Sequence, residues 1–354
     1  MIIKCKYNVT DIEKVVPIVN NIINIDSMVV DGVEIPREVE KEVPKIDDEG
    51  NITDEKVMSM VPNTEIQFTW EGEHTAEFYL KEDSTDISYC NFAKLKTLTE
   101  CEIPDGVTEI KSYAFYECPA LEKVVIPESV ETIEGHAFSG CIILSEVSIP
   151  KNLTKLGEYA FEACEKINSF TIPEGIDELD VNVFAKTSIE SIEIPENIKN
   201  IGAGAFLSCE NLKEVVIPDS VESIGDGAFL SCKNLEKTVI SNNVKILPNF
   251  CFQNDSKLTD IRLGDSIEEI GFEAFRNCTM LKAISFPKSL AKIGNYAFQK
   301  CADNMSVSFN SVEAPELGNN VFKDTIDHDI DFSIPDNADD SYESKEWQER
   351  LMGY

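Results

Sequence analysis

The sequence predicts an α/β repeat solenoid, about ten coils of 23 residues stacked along a parallel β-sheet. Two observations predict it. Phe115, Phe138, Phe161, Phe184, Phe206, Phe229, Phe252, Phe275, Phe298 and Phe322 follow one another at spacings of 23, 23, 23, 22, 23, 23, 23, 23 and 24 residues. Around each phenylalanine the same order of apolar residues returns, as in Leu121, Val124, Ile126, Val130, Ile133, Ala137 and Phe138. One such coil cannot bury its own apolar positions, but a stack of them can.

Residues 1–64 read as a small β-rich module. Ile2 to Val9 suits a strand, Ile12 to Ile25 is apolar without a clear period, and Val33 to Gly50 holds two prolines and many charges, which reads as loop and turn. Asp47-Asp48-Glu49-Gly50-Asn51 lacks the ligand spacing of a calcium loop and reads as a charged hairpin turn. Residues 65–90 are expected to hold a capping hairpin and a first partial coil. Ile66, Phe68 and Trp70 alternate, Glu71 to His74 can turn the chain, and Phe78 and Leu80 lie one period before Cys101 and Ile103. Trp70 would then cover the first coil.

Residues 91–325 are the solenoid. Each coil opens on Leu-x-x-Val-x-Ile-Pro. Val124 and Ile126 share the inner face of a strand, Lys123 and Val125 point outward, and Pro127 ends the ladder because it has no N–H. A second inward pair follows (Val130, Ile133). In several coils a glycine comes next (Gly157, Gly202, Gly225, Gly271, Gly294), suited to a turn with φ above zero. Ala-Phe-x-x-Cys closes the coil and suits a short helical or 3₁₀ turn. The phenylalanine rings would then form one internal ladder. Residues 326–354 read as a C-terminal cap. Ile330, Phe332 and Ile334 suit a last strand, and Ser341 to Leu351 a helix with Tyr342, Trp347 and Leu351 on its apolar edge.

Ile-Pro after the strand and Ala-Phe-x-x-Cys in the return segment resemble the BspA-like (treponemal-type) leucine-rich repeats. The resemblance covers residues 87–335. Ser241, Gly264 and Asn310 replace the usual proline, Thr187, Asp255 and Thr325 the cysteine, and Val183, Cys251 and Val321 the alanine. The resemblance implies a leucine-rich-repeat solenoid. It also implies a surface or secreted adhesion and interaction factor of host-associated microbes, with a host or extracellular matrix protein as partner.

Seven of the 11 cysteines (Cys118, Cys141, Cys164, Cys209, Cys232, Cys278, Cys301) stand three residues after a repeat phenylalanine. No CxxC pair exists for zinc. Stacked side chains would sit wider apart than a disulfide prefers. The thiols therefore read as a ladder of small buried groups.

Asp plus Glu outnumber Lys plus Arg by 65 to 31, for a formal charge of -34. Such a field repels nucleic acid and anionic lipid. Val15 to Val30, the most apolar N-terminal stretch, is interrupted by Pro17, Asn20, Asn21, Asn24 and Asp26, so no membrane span is expected. The N-terminus lacks the order of a secretory signal, which sets a cytoplasmic location against the surface location the resemblance implies. The sequence contains no P-loop, no G-x-S-x-G and only three histidines, of which His136 reads as a variable surface position. No enzyme, cofactor or metal is expected.

The working surface is then the outer face of the strands, the concave face that solenoids use for recognition. Its central column carries Val125, Ser148, Thr171, Glu193, Val216, Val239, Arg262 and Ser285, with Lys237 in the flanking column. Val216 and Val239, beside Lys237 and Arg262, form the leading patch for a protein partner. A passive scaffold would need no special face. A glycan site would want Trp or Tyr, which both columns lack. A monomer is expected.

Overall fold

The computed structural model describes residues 1–11, 14–46, 52–303, 305–325 and 331–352. The Asp47–Asn51 turn, Ile330 and His328 lie outside the described residues.

The first strand of each coil forms in register with its neighbours because its inner residues alternate with polar ones. Leu98–Glu102, Lys123–Val125 and Glu146–Val147 pair in parallel, as do Glu214–Val216, Lys237–Val239 and Asp260–Arg262. Ala283–Phe286, Ser306–Phe309 and Asp331–Ser333 complete this ladder. It is interrupted at Ser169–Ile172 and again between Arg262 and Ala283. The second inward pair of each coil forms a second parallel ladder. Eleven short strands, from Asp86–Ile87 to Glu316–Leu317, mark eleven coils rather than ten, the extra one centred on Phe92.

The return segments are not helical. Each is a run of turns that shares its hydrogen bonds between its own coil and the next. Tyr113, Phe115 and Glu117 donate their N–H groups to Gly135, Ala137 and Ser139 of the following coil at 3.2, 2.7 and 2.8 Å. Between them, Ala114 and Tyr116 donate three residues back, to Lys111 and Tyr113, each at 3.1 Å. A helix would direct every N–H into its own coil and leave the stack without this third row of bonds. The alternation is made by left-handed residues two before and two after each phenylalanine, such as Tyr113 (φ 60°) and Glu117 (φ 52°).

The glycines Gly157, Gly202, Gly225, Gly271 and Gly294 are therefore not the turn formers expected. None is among the positive-φ residues. They are required for space. A Cβ on Gly225 would stand 2.3 Å from the Ala203 nitrogen and 2.7 Å from its Cα. Backbone of the preceding coil occupies that volume and cannot rotate away. Gly225→Ala is expected to cost about 1–3 kcal/mol, typical of overpacking, and to lower the thermal midpoint. An unchanged midpoint would show that neighbouring coils separate freely.

The phenylalanines are buried in one column. Ring centroids from Phe92 to Phe322 are separated by 4.9–6.4 Å, and the rings lie within 23° of parallel. Beside the rings run the thiols, all free. Each donates to the C=O of the phenylalanine one coil earlier. Cys141 reaches Phe115 at 3.1 Å, and Cys232 reaches Phe206 at 3.2 Å. Cysteine is thus a small apolar group and also a donor. Burial pushes the Cys209 thiol up to about 11, and it raises Cys141, Cys164, Cys232, Cys278 and Cys301 as well, so these thiols stay protonated and unreactive at neutral pH.

The N-terminal end differs from the expected hairpin. Strand β1 (Ile2–Val9) turns Ile3, Cys5, Tyr7 and Val9 inward. β2 spans Val15–Pro17, β3 Ile25–Val30 and β4 Val33–Ile35. β5 (Glu38–Ile46) and β6 (Ile52–Pro62) form an antiparallel ribbon where loop was expected. Each strand of a two-stranded ribbon has an open edge, which tolerates the prolines. β7 (Glu65–Gln67) pairs with β2, whereas β8 (Gly72–Leu80) pairs with β1 and β3. β1 thus inserts antiparallel between β8 and the first solenoid strand, Leu98–Glu102, and it is β1 that covers the open edge of the ladder. Phe78 still ends the ring column, edge-on to Phe92 at 5.4 Å. Trp70 is 52% exposed and packs on the buried His74 instead of the first coil.

At the other end, a 3₁₀ turn (Asp340–Glu343) and helix α1 (Lys345–Met352) lie on the last coils. Tyr342, Trp347 and Leu351 are buried there, and the Trp347 indole N–H donates to the Pro315 C=O at 2.9 Å.

Candidate functional site

The strand ladder fixes what lies beside what on its outer face. Val216, Val239 and Arg262 are directly in register, and so are Glu214, Lys237 and Asp260. Ser285 is aligned with Ser308. Val125 sits in register with Glu102 at the N-terminal end of the face. Ser148, Thr171, Glu193, Lys237, Arg262 and Ser285 are exposed, as expected for outward positions. Val216 is 60% exposed and Val125 39%. Val239 is the exception, half-buried between Val216 and Arg262 rather than exposed. The ladder does not carry Thr171, which falls at its interruption, and joins Glu193 to no neighbour directly.

Charges are distributed unevenly around the middle of this face. The nearby Lys213, Lys233 and Lys245 are paired with Glu190, Glu210 and Glu268 at 2.8, 2.6 and 3.0 Å. Among the described residues, Lys237 and Arg262 make no ion pair. Lys237, in register between Glu214 and Asp260, and Arg262, which acts on Asp219, thus place two cations beside Val239 on a chain of charge -34.

The face also extends further than the repeat implied. Because β1 joins the sheet, Lys4 and Lys6 stand beside Glu102 and Glu100. With Thr75, Glu77 and Val125 they border a cleft of about 590 Å³. Lys6 pairs with Glu100 at 3.1 Å. The signal was present in the alternation of Ile3, Cys5 and Tyr7 with Lys4 and Lys6, but nothing in a 23-residue period assigns an antiparallel partner.

His136 is half-buried, not a free surface position. It is sandwiched between Tyr113 and Tyr159 with ring centroids 4.7 and 4.5 Å away. Among the described residues no group of three or more His, Cys, Asp or Glu is placed to hold a metal ion. No helix among them is long and apolar enough to cross a membrane.

A stack of equal coils with its strand ladder open to solvent is the architecture of a leucine-rich repeat protein. The chain belongs to the BspA type leucine rich repeat family, whose repeat region matches residues 67–189, 177–306 and 245–339 in 6 copies. Among solved structures, a leucine-rich repeat protein from Bacteroides ovatus is 21% identical, with 85% of this chain and 99% of its own covered and a TM-score of 0.38. A T. pallidum leucine-rich repeat protein is 29% identical, with 57% and 86% covered and a TM-score of 0.38. A leucine rich cell surface protein from Faecalibacterium prausnitzii is 22% identical, with 77% and 86% covered and a TM-score of 0.44. No curated protein matches the chain. Leucine-rich repeat proteins typically serve as protein–protein interaction modules and are generally not enzymes.

Proposed function

We propose that this chain is a non-catalytic adhesion or interaction module that captures a protein partner through the outer face of its strand ladder. The observation that carries the reading is the patch in register at the centre of that face: Val216 exposed, Val239 half-buried beside it, Arg262 next in line and Lys237 alongside. Arg is among the residues that concentrate binding energy, and Arg262 stands in register beside the two valines. The two cations of the patch suit an acidic rim on the partner, and rim charges of this kind govern the rate of encounter more than the final affinity. Val125, Ser148, Thr171, Glu193 and Ser285 extend the contact along the stack. Family membership favours a host or extracellular matrix protein as the partner, with the chain displayed at the cell surface.

The test is to purify the partner on the wild-type protein and titrate it against Val216→Asp, Val239→Asp and Arg262→Asp combined. Affinity is expected to fall at least about a hundredfold, and Val216→Asp with Arg262→Asp, both at exposed positions, should weaken capture with the thermal midpoint held near wild type. Unaltered affinity would mean that this patch is not the contact and would favour a passive scaffold or another face.

A further inference from the structure

One coil breaks the regularity of the binding face. In the inner strand position, neighbouring coils carry Val124, Val147, Ile192 and Val215, but this coil carries Phe170. Its ring is buried and wedges against the column, 5.3 Å from Phe161 and 4.6 Å from Phe184. Phe161 and Phe184 are consequently 6.4 Å apart, where Phe138 and Phe161 are 5.3 Å apart. The strand ladder fails at the same place. In several other coils the chain stays bonded to its neighbour here, as where Ile103 N–H reaches Val125 C=O at 3.0 Å and Ile217 N–H reaches Val239 C=O at 2.9 Å, although the ladder also parts between Arg262 and Ala283. From Ser169 to Ile172 no backbone group bonds to an adjacent coil.

A cleft of about 720 Å³ opens at this break. Ile149, Phe170, Ile172 and Pro195 give it an apolar floor, and Glu174 and Glu193 stand at its rim with side chains in no ion pair among the described residues. Lys151 also lines the cleft, at the repeat position that Glu174 holds one coil later.

We infer that this cleft is the anchoring pocket of the face, and that its occupant is an extended protein segment presenting an aliphatic side chain beside basic residues. The aliphatic group fills the apolar floor, the bases meet Glu174 and Glu193, and the free backbone groups of Ser169–Ile172 offer hydrogen bonds at the opening. The segment lies across the break rather than within it. A strand needs about 4.8 Å of its own, and the coils have parted by far less than that. This inference rests on the strand-face reading of function and deepens it.

The probe is a short labelled peptide alternating valine and lysine, followed by fluorescence anisotropy. The wild-type protein should bind it at least about tenfold more tightly than peptides alternating valine with glutamate or serine with lysine. Phe170→Val, which gives this coil the residue of the coil before it, should weaken binding about tenfold or more, with a lowered thermal midpoint from the loss of a buried ring. Glu174→Lys with Glu193→Lys, both at the surface, should weaken binding as much and guards against a folding defect in the first variant. Equal binding of the valine–glutamate peptide, or wild-type affinity in both variants, overturns the inference. The two readings fail separately. Partner capture lost on replacing Val216, Val239 and Arg262 but kept in Phe170→Val would retain the face and remove the pocket.

Discussion

Replacing Phe206 by alanine is expected to destabilise the protein by about 3–5 kcal/mol, and to do so in the middle of the stack. The ring is fully buried and lies 5.7 Å from Phe184 and 5.3 Å from Phe229. Two sets of contacts are lost together. The first is the apolar area of the ring itself; the second is the pair of stacked neighbours, each worth about 0.5–1.5 kcal/mol beyond area. The cavity cannot collapse readily, because the coil spacing is held by three rows of backbone bonds. A solenoid transmits such damage only through adjacent coils. Urea unfolding followed by circular dichroism should therefore show a lower midpoint and a broadened or divided transition. A loss below about 1 kcal/mol would mean the column contributes little to stability.

Asp255 is the second position of large effect. It occupies the site of the ladder cysteine in its coil, fully buried, with no hydrogen-bond partner for either carboxyl oxygen among the described residues. Thr187, at the same site elsewhere, is polar too, but its hydroxyl donates to the Phe184 C=O at 2.8 Å. Burial pushes the Asp255 carboxyl well above the usual range. The titratable groups facing it are the thiols of Cys232, Cys251 and Cys278, which are themselves raised by burial. The sign follows from linkage. Below the unfolded carboxyl value of about 3.9, both states hold the proton and no penalty arises. Above it the unfolded chain releases a proton that the folded chain keeps. Stability is then lost at about 1.4 kcal/mol per pH unit until the folded value is reached. Asp255→Cys, which restores the ladder, is expected to stabilise the protein by a margin that widens as pH rises from 4.5 towards neutrality. Urea midpoints of both proteins across that range measure it. A margin independent of pH, or a less stable variant, would contradict the account.

The solenoid could be read from the sequence because its core is periodic and periodicity needs no knowledge of long-range pairing. The positions of Phe115 to Phe322, the inward turn of Val124 and Ile126, and the alignment of Val216 with Val239 and Arg262 all follow from counting. What counting could not supply was anything set by contact between coils rather than by the order within one. Gly225 looked like a turn residue, yet its role is to admit the backbone of Ala203. The left-handed return residues are mostly not glycine (Tyr113, Glu117, His136), so composition gave no hint of them. Thr75 to Lys81 are in phase with the ladder, but β1 reaches the open edge first and pairs there antiparallel.

The candidate site divides in the same way. The central patch was legible as two columns of outward residues. Its N-terminal extension to Lys4 and Lys6 was not, because it depends on β1. The cleft at Phe170 did leave a trace: a phenylalanine between Val147 and Ile192 in the inner strand column, just before the one coil that is 22 residues long. Only the widened ring spacing gives that trace a physical meaning.

The most direct test of the stacked-coil account is residue-resolved hydrogen exchange on wild type and Phe206→Ala. The account predicts that protection falls in the coils centred on Phe184, Phe206 and Phe229, while amides around Phe115 and Phe298 keep wild-type protection. Equal loss along the whole chain, with no focus near residue 206, would contradict it.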